Sequence, residues 1–136
     1  MLGYADLRFA ALCMTCFSLT VHTPNRHHNQ IPMEEIAFTM QLKPGVAAEY
    51  ERRHDEIWPE LSALLTEAGI RDYSIYLDAA SGVLFAVQKR VPSHTTDGLP
   101  TTAIMQRRWA YMGDLMETNP DSSPVVKPLA RVFHME

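Results

Sequence analysis

The chain has 136 residues, which is the size of one domain. Its net charge of -4 and its mixed composition give no electrostatic case for nucleic acid or an anionic membrane surface as partner. No stretch reaches the roughly 18 apolar residues of a membrane-spanning helix. The two cysteines sit together near the N-terminus, so no disulfide framework holds the remainder of the chain.

Residues 1–34 read apart from the rest, as an N-terminal extension. The apolar run Phe9–Val21 has the length of a signal-peptide core, but Asp6 offsets Arg8 and no small-x-small cleavage pattern follows. Cys13 and Cys16, followed by His22, His27 and His28, are spaced too closely for a zinc finger. They also lack the βαβ surroundings of a redox pair, so no metal site is expected there. The polar stretch from His22 to Glu35 reads as a linker, and Met33 is an alternative start for the domain that follows.

From Glu35 the pattern is regular. Ile36, Phe38, Met40 and Leu42 alternate with Ala37, Thr39 and Gln41, which predicts a half-buried strand ended by Pro44-Gly45. Val46, Tyr50, Arg53/His54, Ile57, Leu61, Leu64/Leu65 and Ala68 recur at helical steps, which predicts one amphipathic helix kinked at Pro59 and stopped at Gly69. Tyr73–Asp78 and Val83–Arg90 follow as strands joined by an Ala79–Gly82 hairpin turn. After a loop from Pro92 to Pro100, a second helix is expected from Thr101 or Thr102 to Met116, with Ile104, Arg108, Tyr111/Met112 and Leu115 on its inner stripe. The turn-rich segment Asn119–Pro124 leads to a last strand at Leu129–His134. The order β-α-β-β-α-β predicts an α+β domain of ferredoxin-like plan, helices on one face of an antiparallel sheet. Its open sheet face would be apolar and would pair with a second copy.

Chemistry-bearing residues cluster on the helices and the second strand. His54 follows Tyr50 by one helical turn on the sheet-facing side, and histidine has both protonation states available near neutral pH. Tyr73 and Tyr76 point to opposite faces of their strand, so at most one shares a pocket with His54. Trp109 offers a flat surface for a ring-shaped ligand, and Arg108 offers donors for hydroxyls. Such a set suits acid–base chemistry on a small polar ring and requires no cofactor.

Taken together, Tyr50–Leu61, Tyr73–Asp78, Leu84–Ala86, Gln106-Arg107, Trp109, Tyr111-Met112 and Asn119–Val125 closely resemble the L-rhamnose mutarotase family, over residues 35 to 135. The resemblance implies a cytoplasmic homodimer of dimeric α/β barrel type, residues 35–136 forming the mutarotase domain. That domain would interconvert the anomers of the monosaccharide L-rhamnose without cofactor or metal. It places the family's proton-transferring histidine on His54 and its sugar-binding residues on Tyr50, Tyr73 and the pair Arg108-Trp109. It also starts the domain near Met33, with the preceding residues as an over-called start. Two departures stand out: the family's first tryptophan of the second helix is Arg108 here, and Val91–Ala103 diverges, with Pro100 in a segment that is helical in the family. Because fold alone does not fix function, a cofactor-free monooxygenase of the same plan and a non-catalytic sugar-binding dimer are the alternatives.

Overall fold

The computed structural model describes residues 32–135; the apolar run at Phe9–Val21, Cys13, Cys16, His22, His27 and His28 lie outside the described residues. The elements are β1 (Glu34–Gln41), α1 (Ala47–Asp55), α2 (Pro59–Glu67), β2 (Ile70–Asp78), β3 (Val83–Arg90), a 3-10 turn at Thr96–Thr101, α3 (Ala103–Met112) and β4 (Lys127–Leu129). The sheet order is β2-β3-β1-β4, with every neighbouring pair antiparallel. This is the expected ferredoxin-like arrangement, with β1 and β2 separated by β3.

Strand alternation divides the sheet into two faces. Met40, Leu84 and Ala86 face the helices and join Leu42, Tyr50, Met112, Leu115 and Met116 in the main core. A smaller cluster of Ala68, Ile70 and Leu99, with Leu64, Leu65 and Met105 against it, anchors α2 and the 3-10 turn. The other face has nothing over it among the described residues. Two rows cross it, Tyr76–Phe85–Thr39–Lys127 and Ser74–Val87–Ala37–Leu129.

Several boundaries differ from the sequence expectation; β2 begins at Ile70 rather than Tyr73, and three larger differences have clear physical causes. The first helix is two helices rather than one kinked one. A residue before proline is pushed out of the α region, and Trp58 adopts φ -64, ψ 132, so the helix cannot run through it. Pro59 instead opens α2 at a position where its missing N–H costs nothing. The third helix begins at Ala103, where the Thr102 hydroxyl accepts from the Met105 amide at 3.3 Å. It stops at Met112, short of Met116, because the Leu115 amide turns back to Met112 and Met116 bridges to Leu42. The last strand is Lys127–Leu129, not Leu129–His134. Where the ladder would continue, Arg131 meets Glu35 through side chains at 2.6 Å instead of through the backbone.

Candidate active site

The space between the helix-facing side of the sheet and the helices is an open cleft. His54, Tyr50, Tyr73, Gln88, Arg108 and Trp109 all line it. The structure therefore brings together His54, Tyr50, Tyr73, Arg108 and Trp109, from α1, β2 and α3.

α1 supplies the pair at one helical turn. The Tyr50 and His54 ring centroids are 4.3 Å apart at a 35° tilt. His54 Nδ1 lies 3.0 Å from the Tyr50 carbonyl oxygen. A carbonyl can only accept, so Nδ1 carries the proton of the neutral ring and Nε2 keeps its lone pair. Burial pushes the His54 pKa below its ordinary value; the Tyr50 carbonyl draws it up, the Arg108 charge pushes it further down, and Asp55 draws it up. The net direction is downward, so at neutral pH the ring is an uncharged proton acceptor.

The tyrosines are poised the other way. Burial raises the Tyr50 hydroxyl pKa, helped by the proximity of Tyr73 and opposed by Arg108. Partial burial also raises the Tyr73 pKa above its ordinary value. Tyr73 is 41% exposed as a residue, since its ring forms part of the cleft wall. Both hydroxyls hold their protons over the whole physiological range and serve as hydrogen-bond groups rather than acids.

A β-bulge aims Tyr73. Arg71 pairs with Lys89 and Ser74 with Val87, so Asp72 and Tyr73 together stand opposite Gln88. Asp72 takes φ 46 to accommodate the extra residue. The bulge places Tyr73 on the helix-facing side, in line with Ile75, while Tyr76 falls on the opposite face beside Phe85 and is 63% exposed. Strand alternation thus turns the Tyr76 side chain away from that of Tyr73.

Arg108 is 6% exposed and its two terminal amino groups each donate to the Arg53 carbonyl at 3.1 Å. Trp109, half-buried, follows it along the cleft wall. Behind the cleft, Trp58 and Tyr111 stack with centroids 5.5 Å apart, flanked by Arg107 4.5 Å from the Trp58 ring and Arg53 4.5 Å from the Tyr111 ring. Arg53 also pairs with Asp114 at 2.8 Å and Glu49 at 2.7 Å, tying α1 to the end of α3.

Gln88 was not singled out from the sequence. It is 4% exposed, and with its amide oriented to satisfy Arg90 its oxygen accepts from Nη2 at 3.0 Å and Nε at 3.1 Å. The alternation Leu84, Ala86, Gln88 was the available signal, since it puts a polar residue on the buried face of β3. Among the described residues, no three His, Cys, Asp or Glu side chains gather in a way that would hold a metal ion.

Comparison with known proteins adds four findings. Residues 35–135 match the family model described as rhaM, L-rhamnose mutarotase. The chain is 63% identical over 103 residues to the L-rhamnose mutarotase of Acidiphilium cryptum, covering 76% of this chain and 99% of that one. It is 54% identical over 104 residues to that of Bacteroides thetaiotaomicron, covering 76% and 100% respectively. Among solved structures, the L-rhamnose mutarotase of Formosa agariphila superposes with a TM-score of 0.70 at 43% identity, over 76% of this chain and 99% of that one.

Proposed function

The chain belongs to the L-rhamnose mutarotase family, and from that membership we propose that His54 alone carries the protons as the enzyme interconverts the α and β anomers of L-rhamnose. It is an isomerase, and the family membership separates it from an oxygenase built on the same plan.

A cyclic hemiacetal opens when its anomeric hydroxyl loses a proton, the C1–O5 bond breaks and the ring oxygen gains a proton. The two oxygens concerned are bonded to the same carbon, within reach of one imidazole. Neutral His54 takes the anomeric proton on Nε2, and the resulting imidazolium returns it to O5 as the bond breaks. The open aldehyde rotates about C1–C2, and the same two transfers in reverse close the ring on the other face of C1. No net proton is gained or lost. The observation that carries this reading is geometric: the half-buried His54 has Nδ1 3.0 Å from the Tyr50 carbonyl, which leaves Nε2 as its free nitrogen, and Tyr50 and Tyr73 line the same cleft. A proton carrier must work close to the ambient pH, which the tyrosines do not.

In this proposal Tyr50 and Tyr73 hydrogen-bond the sugar's oxygens, and Tyr73 and Trp109 clamp the ring. Arg108 gives a hydroxyl one of the N–H groups not engaged by Arg53. Residues 35–136 act as the catalytic domain, in a cytoplasmic homodimer joined through the uncovered sheet face. The exposed side chains Tyr76, Phe85 and Leu129 on that face support the pairing.

Saturation-transfer proton NMR on the anomeric signals of L-rhamnose tests the mechanism. Exchange above the buffer background with the wild type, lost in His54→Ala, is the expected result. Full exchange in His54→Ala would refute the single-histidine shuttle.

A further inference from the structure

The carboxyl end of α1 is closed by a residue from another element. A helical carbonyl ordinarily accepts from the amide four residues on. For Arg53 that amide belongs to Ile57, which bonds to the His54 carbonyl at 3.1 Å instead. The Arg53 carbonyl is thus left without its backbone partner, as helix ends leave several. Arg108 of α3 satisfies it twice, through both terminal amino groups at 3.1 Å. A cation at a helix carboxyl end is also favoured by the helix dipole. The guanidinium lies 5.7 Å from the Trp58 ring centroid and 5.8 Å from that of Tyr111. Among the described residues, no carboxylate lies within ion-pair distance of it.

His54 is the next residue after Arg53. We propose that Arg108 is a positioning residue for His54: it fixes the last turn of α1 through the Arg53 carbonyl and lays an uncompensated buried positive charge beside the imidazole. The role as positioning residue rests on the mutarotase reading of His54; the effect on the ring itself does not.

The charge acts in one direction. Protonating His54 would set a second cation against Arg108 in a site of low polarity, so Arg108 works with burial to keep the ring neutral. The other groups facing the ring are few. On α1, Asp55 and the Tyr50 carbonyl favour protonation. On β2, Tyr73 carries no charge, and on α1 the Tyr50 hydroxyl is likewise neutral. Arg53, on the same helix, is paired with Glu49 and Asp114. Arg108 is therefore the cation that, together with burial, extends downward the pH range in which Nε2 can accept a proton. A tryptophan in its place, as the resemblance implies for the family, would stack there but supply no charge.

The test is a proton NMR titration of the His54 ring in the full chain without substrate, in the wild type, Arg108→Met and Arg108→Lys. The His54 signal is assigned by its loss in His54→Asn. The expected result is a midpoint about one pH unit higher in Arg108→Met. Arg108→Lys, which keeps the charge but not the planar fork, should stay within a few tenths of a unit of the wild type. The acid limb of kcat/KM for anomer exchange should move with the midpoint. A folded Arg108→Met or Arg108→Gln with unchanged midpoint and acid limb would overturn the proposal and leave Arg108 a packing residue. A shifted midpoint in a chain whose wild type shows no exchange of L-rhamnose would uphold the effect of Arg108 on the ring and count against the mutarotase reading alone.

Discussion

Ile70 and Tyr73 lie three residues apart on one strand, and both present their side chains to the helices. An unbroken strand would send them to opposite faces. The extra residue at the bulge opposite Gln88 restores the parity, so Ile70 packs into the core beside Leu99 while Tyr73 reaches the cleft near Tyr50.

The bulge depends on Asp72 at φ 46, a conformation that β-branched residues strongly resist. Asp72→Val should destabilise the fold by about 1–2 kcal/mol in urea unfolding. In exchange assays KM should rise several-fold with kcat changed less, because Tyr73 is displaced while His54 stays in place. Unchanged KM would separate the bulge from sugar binding.

The His54 pKa lies below its ordinary 6.5, which gives two pH dependences of known sign. The exchange rate should rise along an acid limb centred below 6.5 and then stay level past pH ~9, since both cleft tyrosines remain protonated there. Stability should be unaffected by His54 above its unfolded pKa of about 6.5 and should fall as pH drops toward the folded value, because the unfolded chain takes the proton first. Paired measurements of exchange rate and of urea midpoint against pH check both. His54→Asn should lower exchange by about 10²- to 10⁴-fold and remove its part of the stability slope.

Gly69 joins α2 to β2 at φ 96, and a Cβ there would stand 2.6 Å from Val91 Cγ2 and 3.0 Å from the His94 Cα. Gly69→Ala should therefore cost more than the ~1 kcal/mol of an ordinary left-handed glycine. The urea midpoint should drop, with the acid limb of the pH profile unmoved.

If the uncovered sheet face joins two copies, Phe85→Asp should yield monomers in light scattering, with the far-ultraviolet circular dichroism unchanged. Phe85 is 41% exposed and sits at the centre of the row Tyr76–Phe85–Thr39–Lys127. Dimers that persist in Phe85→Asp would place the contact elsewhere.

Much of this was legible in the residues. Alternation in β1 and β3 marked the buried face, and the Tyr50–His54 spacing marked one helical turn of the site. A kink at Pro59 understates the break at Trp58, because proline's own missing N–H is only part of the constraint. The stronger constraint falls on the residue before it, which is barred from the helical region. The bond from Arg108 to the Arg53 carbonyl was not legible, because its acceptor is 55 positions away and leaves no local pattern. The early end of α3 and the shift of the last strand to Lys127–Leu129 likewise depend on contacts with Leu42 and Ala37, which periodicity within a segment does not encode.

Both margins of the sheet resist growth. On one side the strand is three residues long and its middle residue, Pro128, has no N–H to offer a newcomer. On the other, the kink at Asp72 interrupts the row of free backbone groups that an added strand would need. Lateral stacking of strands, the route by which β-proteins run on into open fibres, is closed at both ends. If two copies pair through the flat of the sheet, as proposed, that contact about a two-fold axis is complete after two copies.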